Sequence, residues 1–475
     1  MVDTALSPAE RAVINGFRTG ERVDLAGRPD RAVRAVVLRS LLLGGVETAP
    51  GTLPRLALAG ARITGPLILT HARVDQPISL HECEFTDRIS LYGAQLRHVC
   101  LRGSRLPGLD ASLATVAGSV KLARCVSTAT VMLNGARIEG SLALDGAALS
   151  GHEVALSGTH LFVGGDILAH DGFVSRGEFR LNDAEIGGAL RWEGAQLLNP
   201  GGRALSAPDL KVGAIVSLCA GLRAEGRINL SHARIQSHLC LDGSVLSGTD
   251  DRLLDLRHLE TAKLNLAPAE PIVGEVDLSH ARIGFIRDDP TRWPARLRLT
   301  GLRYDALSGV EAGMDRLPWL RRDPGGYQPG AYGQLADAYR RAGREQDARA
   351  VLLADQRHRR ATLGPVGRLW GHLQDLVVGY GYRPSRAVAA LVLLIAAGTT
   401  AFSLRPPGAL TPGEAPPFNA LVYTIDLLLP LVDFGQEHAY HPESPLNWLA
   451  YALIVSGLVL ATTIAAAATR MLRRD

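Results

Sequence analysis

The chain has 475 residues, too many for one ordinary domain, and 47% of them are hydrophobic although only 5% are aromatic. A large compact core normally uses aromatic rings to fill its volume, so abundant Ala and 51 Gly point to a thin, repetitive interior. The net charge of +4 is spread as about +2 over residues 1–55, −1 over 56–302, +5 over 303–386, −4 over 387–445 and +2 over 446–475, which excludes a generic nucleic-acid binder.

At the N-terminus, Ser7-Pro8-Ala9-Glu10 places a capping Ser before Pro at the first helical position, with Glu three residues after the cap. A helix is expected from there to Gly20, and a second from Arg31 to Leu43, ending at Gly44-Gly45. The polar, charged stretch from Met1 to Gly20 does not read as a secretory signal. Residues 1–55 are therefore expected to form a helical cap.

Residues 56–302 carry a repeat. Its landmark is a small or polar residue, then Ala or Ser, any residue, and an aliphatic. It appears as Gly60-Ala61-Arg62-Ile63, His71-Ala72-Arg73-Val74 and Gly93-Ala94-Gln95-Leu96. Aliphatics follow each landmark at +4 and +6, as in Ile63, Leu67 and Leu69, the alternation of a short strand. A longer period lies above this one: Gly135-Ala136-Arg137-Ile138, Asp183-Ala184-Glu185-Ile186, His232-Ala233-Arg234-Ile235 and His280-Ala281-Arg282-Ile283 are spaced by 48, 49 and 48 residues. Strands this short bury a face only by stacking, so the expectation is a β-solenoid of about ten coils, each about 4.8 Å thick. Leu144 and Leu241 are expected to point inward, and Arg137 and Arg234 outward.

Units such as Ala61-Arg62-Ile63-Thr64-Gly65 and Ala136-Arg137-Ile138-Glu139-Gly140 resemble a diverged pentapeptide repeat. That resemblance implies a right-handed parallel β-helix with four-sided coils. Arg mostly stands where the family has Asp or Asn. The whole chain is also similar to a group of actinobacterial membrane-associated proteins with an N-terminal solenoid and a two-helix tail, often labelled oxidoreductases.

Residues 303–385 read as a linker (Arg321 to Gly326), a helical hairpin similar to one tetratricopeptide unit over Tyr332 to Leu352, and an interfacial helix from Leu369 to Tyr382. Residues 386–475 read as a membrane domain. Ala387–Leu404 and Leu446–Thr469 lack charge over about 18 and 24 residues, enough to span a bilayer. Arg383, Arg386, Arg470, Arg473 and Arg474 flank the outer ends, which predicts a multi-pass protein of the cytoplasmic membrane with both termini cytoplasmic. Between the spans, residues 418–432 read as a short hydrophobic helix that contains Asp426.

Chemistry is sparse. No GxxxxGK[ST] or strand-to-helix GxGxxG occurs, so no nucleotide cofactor is expected. Cys83, Cys100, Cys125, Cys219 and Cys240 form no CxxC pair and read as small buried residues in a reduced protein. His71, His232 and His280 read as corner residues of the solenoid; Glu437, His438 and His441 have donor chemistry for a metal but read as a solvated loop. About 25 basic and 26 acidic residues over 56–302 argue against an acidic DNA mimic. The expected fold is thus mainly β, with helical ends and two transmembrane helices. The expected function is a membrane-anchored scaffold or sensor without an identifiable catalytic, cofactor or metal site. Its expected partners are the bilayer, an unidentified protein and further copies of itself, not nucleic acid. The alternative is a two-span pore gated by the solenoid, with Asp426, Asp433 and Glu437 near the path; an oxidoreductase rests on the family label alone.

Overall fold

The computed structural model of the protein describes residues 6–47, 51–248, 252–308, 316–362, 384–411, 415–429, 433–442 and 446–472. The chain divides into two compact units, residues 1–344 and 345–475. Each is described by itself.

The first unit is a parallel β-solenoid of about eleven turns. The early coils each give two short strands to each of two sheets; Arg73–Val74 and Ile78–His81 lie in one, Glu84–Phe85 and Ile89–Ser90 in the other. In later coils such a pair merges into one longer strand, as in Arg234–Cys240. The chain then returns one coil along, so that Gln95 is the parallel partner of Arg73. The same column continues through Thr115, Arg137, Phe162, Glu185, Lys211, Arg234, Glu260 and Arg282 to Arg303. The longer period is two coils. Arg137 to Phe162 is 25 residues and Phe162 to Glu185 is 23, summing to 48. The longer coil of such a pair contains an extended strand, Ala148–Ser157 or Gln196–Ser206, which bulges out of register at its middle.

Alternation along each strand sends aliphatics into a continuous column. Ile63, Leu67, Leu69, Leu144 and Leu241 are buried, while Arg137 and Arg234 are exposed. The expected faces therefore hold. Three of the body's aromatics cluster: Phe173, Phe179 and Trp192 meet edge to face, with centroids 6.0 and 4.7 Å apart, and all three are fully buried. His71, His232 and His280 turn corners with φ of +54°, +59° and +59°, in a slot that Gly fills at 93 and 135 because only Gly adopts that conformation without strain.

Both ends are closed, as exposed strand edges require. At the N-terminus, α1 (Pro8–Thr19) carries the expected capping box: Ser7 and Glu10 each donate a backbone N–H to the other's side chain, at 3.0 and 3.1 Å. The second apolar run is split. Ala32–Arg34 pairs with Arg62–Thr64 as a first rung, and only Ala35–Leu42 is helical, as α2. Arg34 joins the two helices by a two-pronged contact with buried Glu10, at 2.6 and 2.8 Å. These hydrogen bonds hold the Glu10 carboxyl below its usual range. At the other end, α3 (Leu317–Leu320) and α4 (Pro329–Arg341) follow the last coil. The Arg322 carbonyl and the Asp323 carboxylate accept the N–H groups of Leu297 and Leu299, each at 3.0 Å. Residues that read as a linker thus satisfy an edge strand.

The second unit contains α5 (Glu345–Thr362), α6 (Pro384–Leu404), α7 (Ala420–Leu428) and α8 (Leu446–Leu472). The two expected transmembrane helices are corrected here. Both stretches are helical, but among the described residues no helix is long and apolar enough to cross a membrane. The multi-pass placement in the cytoplasmic membrane, with its assigned termini, is corrected with them. Part of the apolar character that suggested spans serves an internal cluster instead. Phe402, Tyr423, Leu427, Leu428, Tyr440, Ala450 and Leu453 pack together around α7. Gly398 and Gly457 let the outer helices approach it, since a Cβ at Gly398 would meet the Thr424 methyl and one at Gly457 the Leu428 carbonyl oxygen. The interfacial helix expected from Leu369 to Tyr382 lies outside the described residues.

Candidate functional site

Three hollows of the first unit lie along one face, the outer side of the column that ends at Arg303. Cavities of about 530, 470 and 1070 Å³ follow one another, and neighbouring ones share Glu260 in their walls. Short residues make the trough. Gly187, Gly213, Ala262 and Gly284 stand two places after Glu185, Lys211, Glu260 and Arg282, and all line it. Gly187 and Gly213 have no room for more: a Cβ on either would overlap the carbonyl oxygen of Gly164 or Gly187 one coil back.

Two ladders border this floor. The outer one runs Glu185, Lys211, Arg234, Glu260, Arg282 and Arg303, so that two cations follow each carboxylate. Glu260 sits between two arginines, 3.6 Å from Arg234 and 3.5 Å from Arg282. The corner ladder, two residues earlier, runs His160, Asp183, Asp209, His232, His258 and His280, all in the left-handed region. The imidazoles of His232, His258 and His280 stack with centroids 4.5 and 5.0 Å apart. At the C-terminal end α4 forms a wall. Gln334 and Arg341 donate to the Tyr304 carbonyl at 2.6 and 2.9 Å, and Arg341 meets Asp305 at 3.3 Å.

The sequence placed His71, His232 and His280 at corners but missed His160 and His258. The landmark demanded Ala or Ser after the corner residue, and these two are followed by Leu161 and Leu259. The signal that finds them is Leu161, Leu210 and Leu259, which keep the long period at spacings of 49 residues.

His258 titrates below its ordinary value: partial desolvation between its neighbours comes first, then repulsion from His232 and His280, then from Arg257 and Arg282. Asp183, Asp209 and Glu260 line the same hollow, and the direction stays downward. A depressed folded-state value means that the unfolded chain binds the proton more tightly. The contribution is therefore complete above the ordinary histidine range and is lost as pH falls through the folded value. The unfolding midpoint should fall between pH 7 and pH 5, and His258→Asn should flatten that slope in thermal melts; an unchanged slope would mean the stack does not bind protons as described.

Other charged clusters are satisfied internally. Asp255, fully buried, accepts from Arg227 at 2.6 Å and from Arg257 at 2.8 and 2.9 Å. Burial opposes its charge, yet these guanidinium bonds hold its carboxyl below the usual range. Burial pushes the Cys83 thiol up to about 11 and that of Cys125 to about 12, so both stay protonated near neutral pH. Among the described residues, no group of three or more His, Cys, Asp and Glu is placed to hold a metal ion.

In the second unit Asp426 meets the loop that carries Asp433 and Glu437. Asp426 is 3% exposed, and its two oxygens accept the backbone N–H groups of Phe434, Gln436 and Glu437 at 2.8, 2.9 and 2.9 Å. A charge that looked costly inside an apolar run is thus the anchor of the loop after α7. Asp433 is exposed and accepts from the Gly435 N–H at 2.7 Å. Asp426→Asn should turn an amide N–H against one of these donors and cost about 1–3 kcal/mol. Faster proteolysis within residues 433–442 would report it; unchanged cleavage would show that the carboxylate does not hold the loop.

No protein-family model, curated protein or solved structure matches this chain.

Proposed function

We propose that the protein is an interaction scaffold, a solenoid that holds a segment of a partner protein in the trough along the column from Glu185 to Arg303. The observation that carries this reading is the coincidence of that trough with a charge ladder fixed by coil register. Parallel stacking holds each ladder residue about 4.8 Å from the next, so the charges are positioned before any partner arrives. The plan of the early coils, with two short strands in each sheet, also supports reading the repeat as a diverged pentapeptide repeat.

The test is a photo-crosslinking amino acid placed in the full chain, in cells, at Arg234 or Arg282 on the trough and at Arg105 or Arg223 on the other sheet. Discrete protein adducts are expected from the trough positions and not from the other two. Charge reversal at Lys211, Lys211→Glu, should reduce them. Equal adducts from both sheets, or none from the trough, would remove the reading.

A further inference from the structure

We propose that the C-terminal end of the trough, between the last coils and α4, binds an acidic peptide segment, with the guanidinium of Arg303 receiving its carboxylate. The proposal rests on the scaffold reading and names the chemistry of the partner.

The argument starts from where the ladder stops. Each earlier guanidinium of its C-terminal half has a carboxylate one coil away, as Arg234 and Arg282 have in Glu260. Among the described residues Arg303 occupies the last rung of the column, and no further coil supplies the next residue. Its side chain is exposed and has no ion-pair or hydrogen-bond partner among the described residues. A carboxylate brought by a partner would take the place in the ladder that the fold leaves empty.

The surroundings select a peptide. The cavity of about 1070 Å³ is lined by Arg282, Arg303, Arg340 and Arg341 against Glu260, Asp305 and Asp337. Arg340 is held by Asp337 at 2.7 Å and Arg341 by Asp305 at 3.3 Å. Four cations against three anions leave one positive charge, which suits a chain that carries isolated carboxylates and its own N–H donors. A nucleic-acid strand, with a charge on every residue, would set phosphates against the three carboxylates. Strand addition at the edge is blocked too, because the Tyr304 carbonyl is already taken by Gln334 and Arg341. Recognition is thus left to side-chain charge, where a guanidinium–carboxylate contact is the strong option.

The experiment measures fluorescence anisotropy with the full-length protein at low salt. Its probes are a labelled twelve-residue Glu/Gly peptide, the matching Gln/Gly peptide, and a labelled single-stranded DNA of twelve nucleotides. The Glu/Gly peptide should bind and the Gln/Gly peptide should not. Arg303→Ala should weaken binding about tenfold or more, Arg303→Lys should stay within about threefold of wild type, and Arg105→Ala should change nothing. Arg303 is on the surface, so melting temperatures of its variants should match wild type; if Arg303→Ala melts early, Arg303→Gln gives the comparison. Unchanged affinity in the neutral Arg303 variants, no binding by wild type, or tighter Arg303-dependent binding of the DNA would each overturn the proposal. Trough adducts without Glu/Gly binding would overturn this proposal alone. Peptide binding without trough adducts would overturn the scaffold reading instead.

Discussion

Leu241→Asp is expected to prevent the solenoid from folding. Leu241 is fully buried, and its register places it between Leu218 and Leu266 of the adjacent coils, themselves 0% and 1% exposed. Among the described residues no buried cation lies beside Leu241 to pair with a carboxylate, and an unpaired buried charge costs several kcal/mol. That is comparable with the whole stability of a domain, about 5–15 kcal/mol. Leu144→Asp should behave alike, because Leu144 is also fully buried. Arg234→Ala removes only an exposed contact to Glu260 at 3.6 Å and should cost less than about 1 kcal/mol. Circular dichroism and urea titration separate these results. Tolerance of the Asp variants with loss from Arg234→Ala would invert the faces of the strands.

Arg316→Ala is expected to release the C-terminal closure of the solenoid. Arg316 and Asp288 form a pair with side chains 3% and 0% exposed, bridged at 2.6 and 2.8 Å. Trp293 adds an indole N–H to Asp288 at 2.7 Å, and Arg316 reaches the Ser308 carbonyl at 2.9 Å. Removing the cation strands a buried carboxylate, at a cost of about 3–5 kcal/mol. Early proteolysis between residues 316 and 344 should accompany the lower melting point. The double change Arg316→Met with Asp288→Leu should recover much of the loss, because it removes both charges together. A single variant as resistant as wild type would mean that this pair does not hold the cap.

The solenoid was legible because stacking imposes a spacing that the aliphatics repeat at +4 and +6, with Leu144 and Leu241 among them. The capping box at Ser7 and Glu10 was legible for a similar reason: its chemistry is local. The C-terminal cap was not. Asp323 reads as a turn residue, and its bond to Leu299 crosses 24 residues. The helical stretches near the end misled because absence of charge does not distinguish a span from helices that bury their apolar side chains on one another. Phe402, Tyr423 and Leu453 do the latter around α7. Asp426 stood out as a charge in an apolar run; only the fold shows the three backbone donors that hold it. The trough itself was half visible. Its arginines stood in the repeat, but they form a ladder with Glu260 only when coils of unequal length are set in register.

That register decides whether the ladder exists, and paired cysteines measure it most directly. Arg234 and Glu260 are Cα partners on adjacent coils, whereas Arg234 and Arg282 are two coils apart. A disulfide needs Cα atoms about 4.4–6.8 Å apart, which one coil spacing of about 4.8 Å meets and two do not. Of the native cysteines, Cys83, Cys100, Cys125 and Cys240 are buried and Cys219 is partly so, and the unsubstituted protein gives the background. The account predicts that Arg234→Cys with Glu260→Cys bridges rapidly under mild oxidation and that Arg234→Cys with Arg282→Cys does not. Bridging of the second pair, or failure of the first, would contradict it.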